Sequence, residues 1–163
     1  MSTSKSLARL ECAVANGVEI FGDRWSILII RDAFLGVRRF DDFAKDLGIA
    51  RNILSDRLER LVGAGVLETR SYEDRPPRHE YVLTSKGKDL LDVLLALWKW
   101  GERWEPVPED VEPRRLIHLS CGETTTGVVV CAECREELRR SDLRVEPLLP
   151  VVADRVASRV APT

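Results

Sequence analysis

Two pairs of metal-ligating side chains stand in the C-terminal third of the chain. His118 and Cys121 form an H-x2-C pair, nine residues intervene, and Cys131 and Cys134 form a C-x2-C pair. A tight turn of this length brings two donors to one side, and two such pairs close a tetrahedron of sulfur and nitrogen around Zn²⁺. The arrangement resembles a zinc ribbon, with two departures. Gly122 follows the first pair, as such turns prefer, but Arg135 holds the matching place after the second, and the loop between the pairs is short. The intervening TTTGVVV is expected to supply a turn and a β-branched strand. Three readings stay open for His118, Cys121, Cys131 and Cys134: a structural zinc ion, a thiol pair poised for oxidation, and a vestigial site. The scarcity of large apolar side chains nearby argues for a staple, unless the segment docks on another part of the protein.

A second set of residues has the chemistry of base and phosphate recognition. Arg pairs bidentately with guanine and Asn with adenine, so Arg51, Asn52 and the nearby Ser55 are suited to reading base edges or the backbone. Arg75 and Arg78 flank a Pro-Pro pair and suit phosphate or minor-groove contact, or are simply solvated. Arg39 and Arg57 complete the basic residues expected on DNA. Groupings for catalysis are missing. His79 and His118 are the two histidines, and there is no GxSxG, P-loop or HExxH pattern. A zinc ion with four protein ligands keeps no open position for substrate. The chain is therefore expected not to be an enzyme.

The recognition residues need elements to hold them. Residues 18–35 place Trp25, Leu28, Ile29, Asp32 and Ala33 at spacings of three and four, which predicts a helix opening near Asp23. RRFDDFAKDLGI puts Phe40, Phe43, Ala44 and Leu47 on one stripe, followed by Gly48, which can adopt the left-handed cap of an interhelical turn. ARNILSDRLERLVGAGVL resumes with Leu54, Leu58 and Leu61 inward, then breaks at Gly63 and Gly65. Asn52, Ser55, Asp56 and Glu59 project from the other side, toward solvent or a groove. Such helix pairs also occur in all-helical proteins that never touch DNA. The next segment favours DNA binding: VLETRSYEDRPPRHEYVLT reads as a strand, an Arg-rich turn and a returning strand carrying Tyr81 and Leu83. A hairpin directly after the second helix is a wing, and a winged helix-turn-helix lays that helix in the major groove. The expected fold class is mainly α with a small β-hairpin wing (α+β), plus a small C-terminal Cys-containing module.

After the wing, TSKGKDLLDVLLALWKWGERWE is predicted to be one helix capped by Thr84 or Ser85. Its apolar residues Leu90, Leu91, Leu94, Leu95, Leu97 and Trp98 cover a surface too broad for one small core. A partner helix from a second copy would cover it, and so would the N-terminal helix of the same chain. Trp98, Trp100 and Trp104 belong to core or interface more often than to a ligand cage. EPVPEDVEP packs three prolines and four acids into nine residues, which stops helices and resists burial. The expected domains are thus 1–105, the DNA-binding and dimerisation domain; 106–147, the zinc-ribbon-like module; and 148–163, a tail that is a weak helix or disordered. No internal repeat stands out.

Composition sets the outer limits. A chain of 163 residues with 25 Lys+Arg against 27 Asp+Glu has no global attraction for nucleic acid, so any DNA contact is local. No run reaches the roughly 18 apolar residues of a membrane span, and MSTSKSLARL lacks the apolar core of a signal peptide, so a cytoplasmic location is expected. In that compartment cysteines serve as thiols, sensors or metal ligands rather than disulfides.

The ordered series GDRW-SILI, RRF-DDF, GIARNILSDRLERL, GAGVLETR, HEYVLTSKG and LWKWG resembles the HxlR-type family of bacterial winged-helix regulators, relatives of the MarR group, over about residues 12 to 104. The resemblance implies a homodimeric transcription factor, often a repressor, acting on a double-stranded DNA operator, with affinity modulated by a small-molecule effector or a redox signal. The other reading is a winged-helix protein-interaction module without specific DNA binding. Many members of the family respond to electrophiles or oxidants through a cysteine ahead of the GxxW motif, and Cys12 stands in that place, thirteen residues before Trp25. Here the usual Cys-Pro is Cys12-Ala13, and the nearest basic side chain is Arg9. A sensing thiol and a small apolar residue packed under the first helix are both consistent with that context.

Overall fold

The computed structural model describes residues 12–74, 77–144 and 146. The chain divides into two compact units, residues 1–114 and 115–163. The proline-rich segment from Pro106 therefore goes with the first unit instead of opening the second. Arg9, Arg75 and the tail 148–163 lie outside the described residues.

The first unit runs α1 (Ala13–Phe21), α2 (Arg24–Phe34), α3 (Phe40–Leu47), α4 (Arg51–Gly63), β1 (Leu67–Asp74), β2 (Pro77–Leu83), α5 (Ser85–Lys88) and α6 (Leu91–Trp104). Ala15 is the one buried residue of helix α1. Helix α2 starts where expected because Asp23 caps it: its carboxylate accepts from the backbone N–H of Trp25 at 3.0 Å and of Ser26 at 3.1 Å. Those are two of the donors that a helix start otherwise leaves unpaired. Gly48 closes α3 at φ 59, in the left-handed region where a side chain would be strained.

The core is the meeting of α2, α3 and α4 with the base of the hairpin. Ile29, Ile30, Phe43, Leu54, Leu58, Leu61, Val66 and Leu67 are all buried, with Leu83 completing the cluster. The Leu54, Leu58 and Leu61 stripe is inward, as the spacing predicts. Asp32 lies in this core rather than merely along its edge. Its Oδ1 accepts from Arg31 Nε at 2.8 Å and Nη2 at 2.6 Å. Burial pushes the Asp32 carboxyl up, and the Arg31 guanidinium only partly offsets it.

The hairpin is antiparallel, with Leu67 opposite Leu83, Thr69 opposite Tyr81 and Ser71 opposite His79, and its register slips between Ser71 and Glu73. The segment before α3 adds a third edge. Arg39 bridges to Glu80, and Tyr81 N–H donates to Arg38 O at 2.8 Å. This rung ties the wing to the start of the helix pair.

The single helix expected over 84–105 is broken into α5 and α6. Gly87 lies so close to the Val66 carbonyl that a Cβ there would overlap it. Thr84 fixes the turn: its hydroxyl donates to Gly65 O at 2.6 Å and accepts from Gly87 N–H at 3.1 Å. Lys86 Nζ adds a bond to Ala64 O at 2.7 Å. Anchoring the short α5 to the end of α4 sends the chain off in a new direction, and α6 begins afresh at Leu91.

In the second unit the described residues contain one 3₁₀ turn, Arg140–Asp142, and two isolated bridges, Ile117 with Thr124 and Val130 with Glu137. The β-branched strand expected from TTTGVVV is not formed, and Val128, Val129 and Val130 are exposed. Without a facing apolar layer their β propensity has nothing to pack against.

Asp23 also receives Arg57 from α4, at 2.9 Å. Burial pushes its carboxyl up, but the Ser26 hydrogen bonds and the Arg57 guanidinium outweigh that and hold it below the ordinary value. Asp23→Ala is expected to lower stability by about 1–2 kcal/mol in urea denaturation at neutral pH. A lowered folded pKa places the charge-dependent contribution above the unfolded value. The advantage of the wild type over Asp23→Asn is therefore full above about pH 4 and disappears as pH falls on through the folded value.

Candidate nucleic-acid interface

Helix α4 has one face in the core, so its other face and its first turn are what a partner meets. Arg51, Asn52 and Ile53 are exposed at its start, and Ser55 is half-buried with its hydroxyl donating to Glu59 at 3.2 Å. Arg51 is held rather than loose. Its Nη1 donates to Asp41 of α3 at 2.7 Å, and its guanidinium lies over the Phe40 ring, 4.7 Å from the centroid. The pair with Asp41 is fully in solvent, where such bridges are worth about 0–1 kcal/mol, so a phosphate or a guanine edge can displace it at small cost.

Arg57, expected from sequence on the DNA side, is engaged by carboxylates of its own chain. Its side chain is 23% exposed and is shared between Asp23 at the start of α2 and its neighbour Asp56. It ties α4 to the start of α2. Arg39 precedes α3 at the N-cap position without a side-chain capping bond, and stands 3.7 Å from Glu80 of the wing, with Arg38 beside it. Arg78 is exposed on β2, and Arg75 falls outside the described residues. The structure thus brings Arg51, Asn52 and Ser55 together on one turn and sets Arg39 and Arg78 on neighbouring elements. Asp56 and Glu59 are exposed further along α4.

Sequence reasoning missed a shallow cleft of about 540 Å³ between the starts of α2 and α4, lined by Asp23, Arg24, Trp25, Asn52, Ile53, Asp56 and Arg57. Arg24 lies over the Trp25 ring at 5.5 Å. Helical periodicity shows which face of each helix turns inward, but a cleft between two helix ends depends on how they cross.

Cys12 is half-buried at the N-cap of α1, where its carbonyl accepts from Asn16 N–H at 3.0 Å and its thiol makes no capping bond. In the second unit His118 Nδ1 and Cys121 Sγ are 3.3 Å apart. Cys131 Sγ accepts backbone N–H bonds from Cys134 and Glu133, which hold its thiol below the ordinary value. All four cysteines are free. Among the described residues, no three His, Cys, Asp or Glu side chains converge on one point as a metal site.

A helix pair at a glycine turn, with a wing and a polar start to its second helix, is the architecture of winged helix-turn-helix regulators. The chain belongs to the HxlR-like helix-turn-helix family, whose pattern matches residues 20–109. It is similar to the HTH-type transcriptional regulator Rv3095 of Mycobacterium tuberculosis, 42% identical over 135 residues, which is 83% of this chain and 85% of the relative. Among solved structures it is similar to PA1607, described as a candidate transcription factor, at 37% identity and TM-score 0.77, covering 88% of this chain and 99% of the other. It is also similar to the reduced form of the redox regulator HypR, at 27% identity and TM-score 0.53, covering 56% of this chain and 92% of the other. These relatives are transcription regulators, and so is this protein; it is not an enzyme.

Arg51 and Arg57 of α4 should separate in a stability measurement. Arg57→Ala is expected to cost about 1–3 kcal/mol, because it leaves the half-buried Asp23 carboxylate short of a partner. Arg51→Ala should change stability by less than about 1 kcal/mol. Equal losses in thermal melts would mean that Arg57 does not tie the helices.

Proposed function

We propose that the protein is a homodimeric repressor that reads a two-fold operator through the first turn of α4, with an affinity set by a thiol or small-molecule signal. The observation that carries the dimer is α6. This helix of 14 residues has no buried residue, and Leu91, Val93, Leu97, Trp100 and Trp104 are exposed along it. Apolar surface of that extent is covered when a second copy packs against it. Two reading helices related by a two-fold axis then meet half-sites about 34–36 Å apart.

Arg51 and Asn52 take the base-reading role in this scheme, while Arg39, Arg75 and Arg78 take phosphates. Ser55 is near enough to the helix start to join either set. Arg57 serves by holding α4 in place. The cleft between α2 and α4 is the place for a small-molecule effector, because Asn52 forms part of its wall. Cys12 is the proposed redox sensor. Support comes from its place ahead of the Gly22 to Trp25 motif, and from similarity to HypR, a redox regulator.

Footprinting on the DNA upstream of the protein's own coding region tests the first part. The wild type should protect two half-sites, with affinity falling steeply as salt rises. Arg51→Ala and Asn52→Ala should lose the preference for that site while remaining dimeric. Leu97→Glu with Trp100→Glu should yield monomers and at least tenfold weaker binding. Absence of salt-dependent binding by the wild type would leave a protein-interaction module as the better reading.

The second part is tested with diamide or a quinone. Wild-type protein should release the operator, whereas Cys12→Ser should stay bound. Undiminished release by Cys12→Ser would sink the sensor role.

A further inference from the structure

The second unit contains a repetition that residue identity hides. His118 N–H donates to Glu123 O at 2.9 Å, and Cys131 N–H donates to Glu136 O at 2.8 Å. Gly122 N–H donates to His118 O at 2.8 Å, and Arg135 N–H donates to Cys131 O at 3.0 Å. Thr125 N–H donates to Leu116 O at 2.8 Å, and Leu138 N–H donates to Val129 O at 2.9 Å. The bridge between Ile117 and Thr124 has its counterpart between Val130 and Glu137. Each of these relations in the first turn returns in the second, with every partner shifted from 118 to 131, 122 to 135 and so on. The two ligand pairs of the sequence are thus two copies of one backbone structure, where no repeat was expected.

Both copies end on a left-handed residue, Gly122 at φ 76 and Arg135 at φ 65. Arg135 is the sole non-glycine residue with positive φ among the described residues. The departure from pattern seen in the sequence therefore does not alter the turn: the arginine is held in the conformation that glycine takes in the first copy. Such strain persists where the surroundings impose it. In each copy the first and fourth residues are the His and Cys donors. His118 Nδ1 and Cys121 Sγ are 3.3 Å apart, close to the roughly 3.5 Å that tetrahedral bonds of about 2.0 and 2.3 Å require between nitrogen and sulfur. Cys131 Sγ already accepts N–H bonds from the backbone of its own turn, the outer-shell support that metal thiolates use.

The unit also lacks a core of its own. None of its described residues is buried, and Leu119 is 93% exposed. A segment of this size without an apolar core is ordered by disulfides or a metal, and its cysteines are free thiols.

We infer that His118, Cys121, Cys131 and Cys134 bind one zinc ion per chain, each turn supplying half of the tetrahedron. The donors do not converge as a set of three in this structure, so binding draws the two turns together. Three thiols lose their protons to solution, and the neutral imidazole completes a site of net charge −1. With four protein ligands it is a closed, structural site that orders the unit. Rv3095 matches this chain over 135 residues, a length that in 163 residues must reach into this unit.

Elemental analysis of the full-length protein, purified without chelator and dialysed with zinc, tests this. About one zinc per chain is expected, with three thiols protected from a thiol reagent until the metal is removed. Cobalt substitution should give tetrahedral bands with sulfur-to-metal charge transfer. Cys134→Ser and His118→Ala should each weaken binding at least tenfold, while Arg135→Gly should bind no worse than wild type. Circular dichroism of the helical first unit checks that each variant is folded. Less than about a tenth of an equivalent, half an equivalent shared between two chains, octahedral cobalt, or indifference to Cys134→Ser would each overturn the assignment.

Discussion

Helix α4 commits Leu54, Leu58 and Leu61 to the core against Ile29 and Ile30 of α2, and that burial governs every other part of the first unit. With 3.6 residues per turn, fixing three leucines inside fixes Arg51 and Asn52 outside. The same packing sets where α4 ends, and hence where Val66 and Leu67 enter the core and the wing departs. Asp23 and Arg57 reinforce it at the other end, since one carboxylate both caps α2 and holds a side chain of α4. Helix α4 is positioned by apolar contact along its length and by the Asp23–Arg57 ion pair.

Electrostatics here is local by necessity. With 25 basic and 27 acidic residues, the protein has no overall pull on a polyanion, and the cations near the interface are held by acids: Arg51 by Asp41, Arg57 by Asp23, Arg39 by Glu80. These pairs differ in consequence. The exposed Arg51 pair is weak and exchangeable, and it keeps the guanidinium oriented over Phe40 until a stronger acceptor arrives. The Arg57 pair is sheltered and serves the fold. Burial, rather than residue type, separates an exchangeable arginine from a structural one.

The two units owe their order to different physics. The first has a continuous apolar cluster, closed where Thr84, Gly87 and Lys86 lock α5 onto the end of α4. The second has no buried side chain among its described residues, and its regularity lies in backbone hydrogen bonds around two equivalent turns. Helix α6, with Trp100 and Trp104 exposed, has apolar area that one copy of the first unit does not cover.

The helix pair, the Gly48 turn and the wing were legible from sequence, because each has a local cause: a 3.6-residue apolar stripe, a residue that tolerates positive φ, two short strands about a turn. The inward leucines of α4 and the exposed positions of Arg51 and Asn52 follow from period alone. Other features depended on partners distant in the chain. The break between α5 and α6 comes from the close approach of Gly87 to Val66, and the inward turn of Arg57 comes from a carboxylate 34 residues away. Arg135 is in a left-handed turn that its residue type argues against, so the equivalence of the two ligand pairs is visible only in the backbone. Sequence by itself determined the faces of the helices and the types of donor each segment offers. Which donor meets which acceptor was decided by tertiary structure, since a side chain's partner is set by the crossing of elements and not by spacing along one of them.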